Sequence, residues 1–157
     1  MRADMTEILD ANEKLDESTV FRLEDSLQIK LPPSYRKFLM EFNGGRPVAR
    51  RFKFKGATRG SSVDRFLGVH NKEHNNLMDY LETYKGRIPP NFFPIAHDPG
   101  DNLICISVAG ADKGSIYFWD HDREGNDGPP NYSNVILISE SFEEFIEGLH
   151  EKEASKT

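Results

Sequence analysis

The sequence contains one cysteine, one tryptophan and no long apolar run. A single thiol excludes an intramolecular disulfide, so a chain of 157 residues must hold itself together through its core. Cys105 lies in the apolar run Leu103-Ile104-Cys105-Ile106, where it packs as a small hydrophobe, and a reducing cytoplasm fits this usage. A membrane-spanning helix needs about 20 mainly apolar residues. Stretches such as Phe92-Phe93-Pro94-Ile95-Ala96 are as long as apolar runs become here, so no membrane span is expected. The opening residues place Asp4 and Glu7 where an export signal carries basic residues and then an apolar stretch. Glycine-rich phosphate cradles, Gly-x-Ser-x-Gly turns and Cys-x-x-Cys pairs are missing, which removes the commonest signatures of nucleotide, hydrolase and redox chemistry. No cofactor is expected.

What is present is charge of both signs, unevenly placed. The net charge is -6. Arg46, Arg50, Arg51, Lys53, Lys55, Arg59 and Arg65 cluster in one stretch against Asp64 alone, whereas Asp98 to Glu153 is strongly acidic. In the basic stretch Phe52 and Phe54 alternate with Lys53 and Lys55, the pattern of a half-buried strand, so nucleic acid is not the expected partner.

The hydrophobic periodicity alternates between two kinds. Leu15, Val20, Leu23 and Leu27 suit a helix over about Asp16 to Gln28 with Asp16 as its cap. Tyr35, Phe38, Leu39 and Phe42 fall at i, i+3, i+4 and i+7 after Pro32-Pro33, and Asn43-Gly44-Gly45 should end that helix with a left-handed glycine. The same stripe recurs as Leu77, Tyr80, Leu81, Tyr84 and as Phe142, Phe145, Ile146, Leu149, the latter opened by a Ser141…Glu144 capping box. Residues 48–54, 63–69, 93–97, 103–108, 115–119 and 134–138 read as strands. Asp98-Pro99-Gly100-Asp101 has the composition of a type II turn joining two antiparallel strands. The expectation is one α+β domain over 1–157, ordered from about 15 to 150. Its mainly antiparallel sheet of five or six strands packs against N-terminal, middle and C-terminal helices. Residues 120–133 form the longest loop, and residues 151–157 should fray.

Three stretches then carry a likeness. They are Leu31-Pro32-Pro33-Ser34-Tyr35-Arg36-Lys37-Phe38-Leu39 leading to Asn43-Gly44-Gly45, Pro94 to Asp101, and Gly114-Ser115-Ile116-Tyr117-Phe118-Trp119-Asp120-His121. With the Ser141-Phe142-Glu143-Glu144-Phe145 helix start, their order resembles the SUKH superfamily, which contains bacterial immunity proteins and a fungal cell-wall assembly regulator. The resemblance covers roughly residues 15 to 150. It implies an α+β domain without a known catalytic centre that binds and neutralises toxin effectors, many of them nucleases or deaminases.

The expected partner-binding surface is Asp98, Asp101, Trp119, Asp120, His121 and Asp122, an aromatic beside acids at the rim of the sheet, suited to a basic toxin such as a nuclease. Two readings of Trp119 stay open, binding anchor and core residue, and Asp98 at the first turn position is the better candidate for bonding its own backbone. Two alternatives remain. One is an intracellular regulatory scaffold. The other is a small metal-dependent hydrolase using His70, Glu73 and His74, which show the H-x-x-E-H spacing that places two imidazoles on one helical face. That segment joins a strand end to the next helix and lacks an evident third ligand, so no metal site is assigned. Asp120 to Gly125 has half the pattern of a calcium loop, but Asn131 stands where the bidentate glutamate belongs.

Overall fold

The protein is described by a computed structural model covering residues 5–124 and 130–151. The helices begin where local chemistry satisfies their free N–H groups. In α1 (Glu17–Leu27) the Asp16 carboxylate accepts from the Thr19 N–H at 2.8 Å. α2 (Pro33–Phe42) starts on proline, which lacks the N–H that would need a partner. Asn76 caps α3 (Leu77–Tyr84) by accepting from Met78 N–H at 2.9 Å, and Ser141 caps α4 (Phe142–Glu147) by accepting from Glu144 N–H at 3.0 Å. The expected capping box at α4 is displaced by one residue, because the Glu144 carboxylate accepts from Glu140 N–H rather than Ser141 N–H. That bond, with Lys55 at 3.2 Å, holds the Glu144 carboxyl below its ordinary pKa.

Among the described residues the strands are β1 (Ile8–Leu9), β2 (Arg46–Pro47), β3 (Arg51–Lys53), β4 (Gly60–Ser62), β5 (Arg65–Phe66), β6 (Phe92–His97), β7 (Leu103–Ser107), β8 (Ile116–Trp119) and β9 (Val135–Ser139). The main sheet has the order β5-β6-β7-β8-β9, antiparallel at every pairing. Two small pairs, β1-β2 and β3-β4, flank it. The α+β architecture therefore follows the sequence reading, with three differences. The pair at Ile8–Leu9 is too short to leave a periodic signal. The expected strand over 48–54 shortens to Arg51–Lys53, since Val48 N–H donates to Glu7 O and Ala49 N–H to Thr6 Oγ1. The expected strand over 63–69 gives way to β5, flanked by Val63 N–H bonding back to Arg50 O and by Gly68, whose N–H donates to Asn75 O. The expected end of the chain beyond Glu151, and the centre of the 120–133 loop, lie outside the described residues.

Side-chain parity sorts the sheet into two cores. Ile104, Ile106 and Phe118 face the larger one, which takes in Tyr35, Phe38 and Leu39 of α2 and Phe142 and Phe145 of α4. Leu103, Cys105 and Trp119 face the smaller one with Ile88 and Phe92, under Tyr80 and Tyr84 of α3. Burial pushes the Cys105 thiol pKa well up, so it stays protonated and inert, as its apolar run indicated.

Beyond α2 Gly44 (φ 104°) and Gly45 (φ 102°) take positive φ as expected of them, and the residue before them that closes the helix in the left-handed conformation is Asn43 (φ 48°). Its buried amide explains the choice. Nδ2 donates to Glu13 O (2.9 Å) and Val69 O (2.8 Å), and Oδ1 accepts from Val69 N–H (2.6 Å), tying α2 to the chain before α1 and the chain after β5. Asn43→Gly keeps the backbone conformation but removes all three bonds. It should lower unfolding free energy by about 2–4 kcal/mol in urea titration, and an unchanged midpoint would show the clamp to be dispensable.

Candidate functional site

The rim of the sheet around the β6–β7 turn is where the expected site residues come together. The turn is not type II. Gly100 is not left-handed, and the positive φ falls on Asp101 (66°). The reason is the Asp98 side chain, whose Oδ1 accepts from both Gly100 N–H (2.9 Å) and Asn102 N–H (2.8 Å), while Asp98 N–H donates to Asn102 O. Its Oδ2 accepts from Ser61 Oγ (2.8 Å) on β4 and Asn102 Nδ2 (3.2 Å). Asn102 Oδ1 in turn accepts from His121 N–H (3.0 Å), just beyond β8. Asp98 is 5% exposed, and its carboxylate is engaged in fastening the turn to β4.

Trp119 is likewise removed from the surface. Register opposite Leu103 puts it on the smaller core, 1% exposed, with Tyr84 packed edge-on at 5.6 Å. The Asp120 carboxylate accepts from Asp122 N–H (3.0 Å) and caps a short 3-10 helix over His121–Arg123, which fixes it locally. The His121 ring stands 3.4 Å from the Asp122 carboxylate through Nε2. Of the six expected residues, Asp101 and Asp122 are the two whose side chains reach freely into solvent, Asp122 being 83% exposed.

Beside that turn lies a group that sequence periodicity had assigned wholly to the core. Tyr80 and Tyr84 stack at 5.7 Å, and Tyr80 stacks on His97 at 5.9 Å with the rings 9° from parallel, giving a ladder of three half-buried or buried rings along α3. His97 is held by Asn75 Oδ1 on Nε2 (2.6 Å) and Asp98 O on Nδ1 (3.1 Å). Asp64 approaches the same Nδ1 at 3.7 Å. Burial, then Tyr84, Asp101 and Asp64, push the Tyr80 phenol up to about 12, and burial together with Asp101 and Glu124 raises Tyr84 against the opposing pull of Arg87. Asp64 and Asp101 are thus near enough for their charge to act on the Tyr80 phenol. One guanidinium is already seated there: Arg87 lies 4.5 Å over the Tyr84 ring and pairs bidentately with Glu124, both contacts at 3.0 Å. The signal that could have exposed this ladder was the i, i+4 tyrosine pair, whose phenols need water or a polar partner.

The H-x-x-E-H segment does not form the geometry its spacing suggested. Residues 70–75 are bends, not helix, and His70 Nδ1 accepts from Lys72 N–H at 3.1 Å. Among the described residues no three His, Cys, Asp or Glu side chains cluster as a metal site would require. No helix among them is long and apolar enough to cross a membrane.

The family model for the SMI1 / KNR4 family (SUKH-1) matches residues 14–148. The chain belongs to this family. It is 31% identical to the SPbeta prophage-derived uncharacterized protein YokK of Bacillus subtilis (strain 168), across 90% of this chain and 75% of that protein. A protein from Pseudomonas syringae pv. tomato of known crystal structure shares the fold, with TM-score 0.50 and 18% identity over 79% of this chain and 81% of the other. The SUKH-1 match runs from just before α1 to the cap of α4, so the tyrosine ladder, the Asp98 turn and Trp119 all lie inside it.

Two substitutions separate core from surface at this rim. Trp119→Ala should cost about 3–5 kcal/mol of stability, whereas Asp122→Ala should stay within about 0.5 kcal/mol of the parent. Thermal and urea unfolding of both variants checks this, and equal effects would contradict the assignment of Trp119 to the core.

Proposed function

We propose that this SUKH-1 chain is an immunity-type binding module that neutralises a toxin effector inside the cell by covering it. The observation that carries the reading is the stacked Tyr80–Tyr84 ladder continued by His97, with Asp64 beside His97 and Asp101 in the adjoining β6–β7 turn. Partly exposed aromatic faces beside carboxylates recognise guanidinium and ammonium groups, the aromatic by its quadrupole and the carboxylate by charge-assisted hydrogen bonds. Arg87 between Tyr84 and Glu124 is an internal example of that recognition. The partner is therefore a protein with a basic face, of the kind a nuclease needs to accept phosphates, and the net charge of -6 would steer the two together. Membership of a family that includes toxin-immunity proteins supports affinity, not turnover, as the activity. The hydrolase alternative loses its support with the helical geometry that His70, Glu73 and His74 lack.

The test is co-expression with the product of the neighbouring gene, followed by calorimetry. Tyr80→Ala combined with Asp101→Ala should weaken the complex about thirtyfold or more and abolish growth protection, in keeping with about 2 kcal/mol at a hot spot. Undiminished affinity in a folded double variant would remove this surface as the toxin site.

A further inference from the structure

A second surface, opposite in charge to the tyrosine ladder, lies on the β3–β4 hairpin. Phe52 of β3 turns into the large core, which leaves Arg51 and Lys53 on the outward face. Here Arg51 stands opposite Ser62 and Lys53 opposite Gly60. Gly60 cannot be larger, since a Cβ there would fall 1.8 Å from the Phe52 carbonyl oxygen. Long cations facing short partners hollow out a cleft of about 670 Å³, lined by Arg50, Arg51, Lys53, Thr58, Ser62 and His150.

Among the described residues no carboxylate lies within ion-pair distance of Arg50 or Arg51, although Glu151 also lines the cleft, whereas neighbouring Lys55 is paired with Glu144 and Arg59 lies over Phe54. Pro99, from the turn that carries Asp101, forms part of the same wall. The β6–β7 turn therefore has an acidic aromatic surface next to it and a basic cleft next to it as well.

We propose that the β3–β4 cleft is a second binding site, which takes a short acidic segment of a protein partner. Two guanidiniums and two hydroxyls in a concave wall match carboxylates on an extended chain, each guanidinium able to donate two parallel hydrogen bonds to one carboxylate. A nucleic acid fits less well. Its charge continues at one phosphate every few ångströms beyond any single cleft, out into the field of an acidic molecule that a short segment ending within the cleft largely avoids. The inference does not depend on the toxin-binding reading, since it uses different side chains and the opposite charge.

Fluorescence anisotropy with a labelled octaglutamate peptide at low salt tests it, with an oligothymidylate of equal charge as comparison. The peptide should bind the full chain, lose about tenfold or more in affinity in Arg50→Glu/Arg51→Glu, and be unaffected by Tyr80→Ala/Asp101→Ala. Arg50→Gln/Arg51→Gln serves as a milder variant, with circular dichroism confirming the fold. Absence of binding, equal binding by parent and arginine variants, or tighter binding of the oligothymidylate would overturn the proposal.

Discussion

The rim of this protein depends on one carboxylate. Asp98 accepts hydrogen bonds from two backbone N–H groups of its own turn, from Asn102 and from Ser61 of the neighbouring hairpin. A buried carboxylate is tolerable only when its lone pairs are filled, and here filling them ties the β6–β7 turn to the β3–β4 hairpin. Through Asn102 the constraint extends to His121 at the end of β8, and through the Asp98 carbonyl it reaches His97, the base of the tyrosine ladder. The exposed groups on either flank thus stand on a frame that is hydrogen-bonded throughout. Ordering them has been achieved in folding, so less conformational entropy remains to be lost when a partner arrives.

Acids prevail beside the tyrosine ladder and cations on the β3–β4 hairpin, while Lys55–Glu144 and Arg87–Glu124 pair at the surface. Burial of the two rings, and then the charge of Asp101 together with Asp64 at Tyr80 and Glu124 at Tyr84, raises the tyrosine pKa values. The cations lie on the outer face of a hairpin whose inner face is phenylalanine. This separation suits the proposed binding role, since complementary potentials steer encounter and exclude wrong partners more than they add raw affinity. The one thiol, by contrast, is sealed in the smaller core and kept neutral by burial.

Much of the architecture was legible in the sequence because local rules and tertiary burial agree. The helices at 17–27, 33–42, 77–84 and 142–147 carry both an apolar stripe and a cap or proline at the start, and the long antiparallel strands sit between turn residues. The rim was less legible. A tryptophan followed by Asp-His-Asp has the same composition whether the ring points in or out. Only the register of β8, with Trp119 opposite Leu103, decides it. The glycine expected to turn the chain at position 100 gave way to Asp101 because a side chain, not a backbone preference, closes that turn. Tyr80 and Tyr84 were readable as a helical stripe, but a stripe does not tell how deeply it is buried, and α3 lies at the edge of the smaller core. The basic stretch was correctly readable as alternating, with Phe52 and Phe54 inward, yet the short residues facing Arg51 and Lys53 come from a pairing that only the folded hairpin reveals.

Hydrogen–deuterium exchange of the protein with and without the proposed toxin partner tests the central claim most directly, since it maps the covered surface without altering a residue. The account predicts added protection in α3 and in the segment from His97 to Asn102. Protection confined to α2, α4 or the face of β9 would contradict it.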